Sequence, residues 1–381
     1  MTRYRFLPLF ILSGFLGILS PLLPTASSVV HAGGTIKVDD THSLNIGMGL
    51  RSSFNMIKNG APDGTSRSKD FKLDDARLYV SGQLHELVTF ELNTETQTTS
   101  DPAATESIRV LDAVLKFGFS DYFNIWFGRF LPPSDRSNLS GPFYLNGWNF
   151  PGIVQRYPFI FAGRDDGAAI WGQIGKGFFK YQVGAFQGQG AFTGGPNQKE
   201  DLLYAARLTL NLWDPEPGYY NSSTYYGSMN VLALGLVAMT QKGAVGTLAT
   251  PGDFTGWSVD LLAERNLGSA GVPTFEAAYY HYDNDGLTPE GKGYFALVSY
   301  LLPMKIGAGS LQGQLQPLVR YQKFENDGPL TGDQTQMDVG VGYIINGHNA
   351  RITANYFTGK DKTVAGAPSI DGFQLGLQFQ L

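Results

Sequence analysis

The sequence predicts an all-β fold: a transmembrane antiparallel barrel of about sixteen strands with one loop folded into its lumen. Three observations predict it. Hydropathy alternates with a period of two along most of the chain. Charged residues form only 16% of the 381 residues, against about 25% in ordinary soluble domains. Glycine is frequent (48 residues) and aromatics reach 13%, yet mean hydropathy is only −0.12 and no long apolar run follows the first thirty residues. Few charges, many aromatics and many glycines without helical spans suit a barrel that crosses the bilayer with strands.

The same numbers exclude other classes. The glycines have no triplet period, which rules out collagen, and 43% hydrophobic residues rule out disorder. Cysteine is absent, so disulfide scaffolds, thiolate metal sites and cysteine nucleophiles are excluded. Five histidines argue against a multi-histidine metal centre, and no cofactor is implied. A net charge of −5 gives no electrostatic support for nucleic-acid binding.

Taken in order, the chain begins with an export signal. Arg3 and Arg5 precede an apolar stretch from Phe6 to Leu23, and Val30-His31-Ala32 offers a cleavage site. Pro8, Pro21 and Pro24 oppose an uncleaved spanning helix. Residues 1–32 are therefore expected to be removed and 33–381 to form the barrel. Cleavage takes two of the 28 basic residues and none of the 33 acidic ones, leaving −7.

Strands are predicted at 42–57, 71–84, 87–97, 107–119, 122–131, 166–174, 178–188, 203–213, 230–241, 255–265, 273–283, 293–302, 311–325, 334–345, 349–359 and 371–381. The clearest alternations are Leu78 to Leu84, Leu208 to Leu212, Met337 to Tyr343 and Phe373 to Leu381, the last apolar at every odd position. The connections sort by parity. Ser120-Asp121, Gly175-Lys176-Gly177 and Asn346-Gly347-His348 are hairpin turns, whereas Lys58 to Asp70, Thr98 to Ser107, Gln189 to Leu202 and Lys360 to Asp371 are long and polar. Short turns at one end and long loops at the other mark a bacterial outer-membrane barrel, not a soluble sandwich. The connection from Asp214 to Met229 breaks this rule, because it is long where a short turn is due.

Apolar faces are expected to meet lipid through Leu111, Leu115, Phe117, Leu208, Leu210, Val339, Val341, Tyr343, Leu375 and Leu377. Phe119, Tyr122, Phe123, Tyr343, Tyr356 and Phe379 would form the interfacial girdles.

Two stretches carry a family resemblance. Phe71-Lys72-Leu73-Asp74-Asp75-Ala76-Arg77-Leu78-Tyr79-Val80-Ser81-Gly82, followed by Phe90-Glu91-Leu92-Asn93, resembles the second strand of the phosphate-selective porin O and P family. Phe127-Gly128-Arg129-Phe130-Leu131-Pro132-Pro133 is similar to that family's strand end before a long loop. The resemblance implies a sixteen-stranded trimeric channel of the outer membrane, carrying phosphate or polyphosphate in its best-known members. This chain departs from it in ending with Leu381, not phenylalanine, and in mixing the signs of its inward charges.

In such a channel shape and electrostatics do the work. The predicted constriction is the connection from Pro132 to Asp165, rich in Pro, Gly and aromatics and carrying Asp135, Arg136, Arg156 and Arg164. Strand parity turns Asp75, Arg77, Glu91, Asp112, Lys116, Lys180, Arg207, Asp260, Glu264, Glu276, Arg320, Asp338 and Arg351 toward the lumen. Arg or Lys on the lipid face would cost about 2–4 kcal/mol at the midplane. The pore-lining candidates are Arg77, Lys116, Lys180, Arg207, Arg136, Arg156, Arg164, Asp135, Asp260, Glu264, Glu276, Arg320 and Arg351. Basic residues lie early and Asp260, Glu264 and Glu276 cluster later, an arrangement that predicts a transverse field.

The leading function is passive diffusion of small hydrophilic solutes or ions, with an anion or phosphate preference as its sharper form. The expected partners are outer-membrane lipid, small solutes or inorganic anions and, as the resemblance implies, two further copies in a homotrimer. The alternatives are a barrel enzyme and a plugged structural or adhesive barrel. Against the enzyme, His281 is the one histidine well inside a predicted strand, and its parity points outward. Asp283-Asn284-Asp285-Gly286 lacks the remaining ligands of a calcium loop and reads as a turn.

Overall fold

The computed structural model describes residues 33–39, 41–97, 107–157, 163–190, 195–287, 290–327, 332–363 and 369–381. The expected signal peptide, 1–32, lies outside the described residues.

Sixteen strands form the wall. They are β1 (Ser43–Ile57), β2 (Asp70–His85), β3 (Val88–Gln97), β4 (Ser107–Ser120), β5 (Phe123–Phe130), β6 (Asp165–Ile174), β7 (Phe179–Phe186) and β8 (Leu203–Asn211) in the first half. The second half holds β9 (Val231–Gly246), β10 (Pro251–Glu264), β11 (Val272–Asp283), β12 (Gly291–Leu301), β13 (Gly313–Asn326), β14 (Gly332–Asn346), β15 (Ala350–Asp361) and β16 (Ile370–Gln380). Each pairs antiparallel with the next, and β16 closes on β1 from Gly372 opposite Ile57 to Gln380 opposite Gly49. A short strand, Gly34–Lys37, extends the seam by pairing with the start of β1, where β16 has already ended. A second short strand, Lys305–Ile306, lies against β13.

Alternation produces two faces. On β16, Gln374, Gln378 and Gln380 are buried inside, whereas Leu375, Leu377 and Phe379 are exposed outside. Leu115, Leu208, Val339 and Val341 are exposed in the same belt, and Phe119, Tyr122, Phe123 and Tyr356 flank it. Closure leaves no free edge, so the backbone polar groups are satisfied within the sheet, as a bilayer requires.

Two expectations change. Leu111, expected outward, is fully buried, because a bulge opposite Asn93 and Thr94 adds a residue to β4 and reverses the parity there. The connection after β9 is a tight turn at 247–250, because β9 continues through Gly246 past another register shift between Gln241 and Val245. Lys242 to Gly246 do not alternate in polarity, so this extension left no pattern to read.

The hydrophobic core lies inside the barrel. Trp126, Phe130, Trp171, Phe186 and Tyr219 are all buried, and Trp126 stacks on Tyr219 at 4.4 Å between centroids.

Candidate pore constriction

Two inserted segments make that interior. The first joins β5 to β6. Pro132 and Pro133 cannot continue the sheet's hydrogen bonding, and the chain turns inward into a five-residue helix, α1 (Arg136–Ser140). The Asp135 carboxylate caps this helix by accepting from Asn138 N. Beyond α1 the loop crosses the lumen, tied to the wall on the way. Arg351 donates to Leu145 O at 2.7 Å, Asn146 to Ser299 at 2.9 Å, Arg320 to Asn149 O at 2.6 Å, and Asn149 to Gln374 at 2.9 Å.

Two glycines serve as sockets. A Cβ on Gly376 would lie 2.6 Å from the Trp148 indole, and one on Gly49 would lie 2.7 Å from the Phe143 ring. Both glycines face the lumen, on β16 and β1 at the seam. The Arg51 guanidinium covers Trp148 at 4.2 Å and holds it in place.

The second segment, 212–230, joins β8 to β9 from the opposite end of the barrel. It is the long connection that broke the parity rule, and it is long because it also enters the lumen. Glu216, Tyr219, Ser223 and Thr224 are buried, and Ser223 N donates to Tyr144 O of the first loop at 3.1 Å. Arg136 meets Glu216 through both guanidinium nitrogens at 2.6 Å and also donates to Ser222 O. His348, in the β14–β15 turn, places one ring nitrogen 3.1 Å from Phe143 O and the other 2.8 Å from Thr224 O, so it touches both segments.

These inserts decide where the charged candidates sit. Arg207 is buried and pairs with Asp260 at 2.8 Å. The two do not oppose each other across the lumen. They adjoin over Gly235 of the intervening strand, where a Cβ would strike both side chains. Glu264 accepts from Thr224, Tyr225 N and Gly227 N, and Glu276 from Ser137 and Ser223. Lys180 donates to Gly218 O, and Lys116 pairs with Glu91 beneath Trp126. Arg320 pairs with Asp338, Arg351 with Gln378, and Arg156 with Gln334. Asp135 also accepts from Gln155 and Tyr280. Ten of the thirteen candidates thus fix inserts to wall or to each other, Lys116 pairs within the wall, and these eleven line neither of the two cavities described next.

Arg77 and Arg164 are different. Two cavities, each of about 330 Å³, lie beside the inserts, one against β1–β4 and the other reaching β2, β3, β8 and β9, and both arginines line both cavities. One cavity reaches Asn45 and Ser81 toward the short-turn end, and the other reaches Asp75 and Glu95 toward the long-loop end. Arg77 donates to Glu95 at 3.0 Å, with Asp75 at 3.5 Å, and Arg164 donates to Asp112 at 3.1 Å. Both cavities are therefore bordered by the same two cations, each beside carboxylates. Glu216, Tyr144 and Tyr220 were not among the candidates. The single signal for the segment that carries Glu216 and Tyr220 was an over-long turn.

Burial sets the charge states of the inserts. It pushes the Asp135 carboxyl up to about 6, with Asp260 reinforcing the rise. Burial would also raise Glu216, but the Arg136 guanidinium and then Lys180 hold it below its ordinary value. His348 is pressed down to about 3, first by burial and then by Arg351. Elsewhere, His281 lies on the outer wall, stacked on Trp257 at 5.6 Å. The Asp283–Gly286 stretch forms a turn in which Glu290 accepts from Asn284 N and Gly286 N. Among the described residues no three acids or histidines gather as a metal site.

No protein-family model matches the chain. No curated protein matches it. Solved structures do. The chain is similar to OprB of Pseudomonas putida, with TM-score 0.60 and 12% identity over 89% of this chain and 94% of that one. It is similar to an anion-selective porin from Comamonas acidovorans, with TM-score 0.55 and 12% identity over 89% and 100%. It is also similar to the trimer form of in-vitro folded OmpT, an outer membrane protein of Vibrio cholerae, with TM-score 0.51 and 12% identity over 90% and 100%. At this identity the likeness is one of fold, and the fold is that of the outer-membrane β-barrel channels.

Proposed function

We propose that this barrel is a porin of the bacterial outer membrane, a passive channel for small hydrophilic solutes and ions. One observation carries the reading: inside a closed barrel two cavities share Arg77 and Arg164 in their linings, which supports a lateral path beside the inserts. Such a path does its work by size and local field, without bond making. Outer-membrane lipid covers the apolar belt, a cleaved signal at 1–32 takes the chain to its membrane, and three copies assemble. The trimer form of one neighbour supports that assembly.

An anion or phosphate preference is the sharper form of the reading. Arg77 and Arg164 support it, and their carboxylate partners make it weak. A second reading, a plugged structural barrel, draws on the buried Arg136–Glu216 pair that locks the two inserts together.

The test is single-channel conductance of the folded protein in planar bilayers, with reversal potential measured under a KCl gradient and with added phosphate. Stable steps with near-zero selectivity support the channel as described. Chloride preference with phosphate block supports the sharper form. Protein that is folded by circular dichroism yet gives no steps sinks the channel and leaves the plugged barrel.

A further inference from the structure

The path has two unlike faces. The inserts bring an apolar face: Leu139, Phe143, Tyr144 and Tyr220 in one cavity, Phe150 and Tyr157 in the other. The strands β2, β3 and β4 bring most of the charges: Asp75, Arg77, Glu91, Glu95 and Asp112. Arg164 is the loop's own charge on the path, and it is paired with Asp112 of the wall. This division does not follow from the barrel alone, since a wall and a loop could each carry either kind of residue.

Each cavity is also balanced in charge. The one toward the short turns is lined by Arg77 and Arg164 with Glu91 and Asp112, the other by the same arginines with Asp75 and Glu95. A simple anion gains from the guanidiniums and is repelled by carboxylates within the same few ångströms. A simple cation meets the reverse. A solute carrying both signs on one small head group satisfies both, because its carboxylate can approach an arginine while its ammonium approaches an acid. The rest of that solute then faces the apolar side, where an aromatic ring gains most from Phe143, Tyr144 and Tyr220.

We propose that the path favours compact amphipathic zwitterions, of which an α-amino acid with an aromatic side chain is the matching class. The proposal rests on the channel reading and goes beyond it. It predicts ranking by charge pattern as well as by size. The solute crosses in one rolled orientation, head toward β2–β4 and ring toward the inserts.

The test is osmotic swelling of liposomes containing the full barrel. Phenylalanine, 3-phenylpropanoate, phenethylamine and glucose are compared at equal osmolality. Phenylalanine is expected to enter about two- to twelve-fold faster than glucose, the factor expected of one aromatic contact. It should also outrun both singly charged analogues. Tyr220→Ser should bring the ratio of the phenylalanine rate to the glucose rate toward one, whatever the wider path does to both rates. Faster entry of 3-phenylpropanoate or phenethylamine, or equal rates for phenylalanine and glucose, overturns the proposal and leaves the channel standing. Failure of every solute to enter overturns the channel itself and the proposal with it.

Discussion

Arg136 and Glu216 face each other fork to fork with both contacts at 2.6 Å, although they reach the middle of the barrel from opposite ends. Both are buried, and the Tyr225 hydroxyl donates to Glu216 as well. A barrel lumen is normally wet, so a desolvated ion pair there needs a reason. The reason is that two inserted segments exclude water from each other. Breaking such a pair by removing one partner leaves a buried charge unpaired, at a cost of about 3–5 kcal/mol.

Glu216→Gln should therefore loosen both inserts. The expected result is a lower urea midpoint, equivalent to about 3–5 kcal/mol, with larger and noisier conductance steps. An unchanged midpoint and unchanged steps would show that the inserts are held elsewhere.

Gly376→Ala should unseat Trp148. The added methyl lies 2.6 Å from the indole, and Arg51 covers the ring, so the side chain has little room to retreat. Overpacking of this kind costs about 1–3 kcal/mol. Tryptophan fluorescence of the folded barrel should shift, and open-channel noise should rise.

Arg164→Gln and Arg77→Gln should each turn the channel toward cations. Either change leaves a carboxylate, Asp112 or Glu95, without its guanidinium, whereas Asp75 keeps Arg51 at 2.6 Å. The reversal potential under a KCl gradient should move in the same direction for both. The shift should be greatest at low salt, since screening acts over about 30 Å at 0.01 M but about 3 Å at 1 M. Arg207→Gln, buried behind the inserts against Asp260, should affect stability more than selectivity.

Two groups in the inserts and turns should give opposite slopes of stability with pH. Asp135, raised to about 6, binds its proton more tightly folded than unfolded. Its contribution is full below the ordinary carboxyl value of 3.8 and is lost as pH rises through about 6. His348, lowered to about 3, contributes above 6.5 and loses that contribution as pH falls toward about 3. Relative to the parent, the change in urea midpoint between pH 7 and pH 4 should be more negative in Asp135→Asn and more positive in His348→Gln.

The wall was legible because each strand records its own two faces. All sixteen strands overlap the ranges read from alternation, β9 and β10 running several residues longer at their shared turn, and Leu208, Val341 and Leu377 face outward as read. Leu111 was not legible, since a bulge is a property of two paired strands and leaves no mark on one. The lumen was legible only in part. Parity turned Arg207, Asp260, Glu264 and Glu276 inward, but inward proved to mean two things, facing a cavity or facing an insert. Only the three-dimensional route of 131–157 and 212–230 separates Arg77 from Arg207, and that route depends on contacts between segments far apart in sequence.

The two glycine sockets also bear on assembly. Gly49 lies on the first strand and Gly376 on the last, and the two strands meet only where the barrel closes. Phe143 and Trp148, from the middle of the chain, need both seats. The loop therefore has both seats only when the chain's first and last strands are paired, so its final packing depends on the most non-local pairing in the wall. A barrel caught before closure would carry its constriction unseated. Its lumen is thus narrowed as a consequence of its ends finding each other.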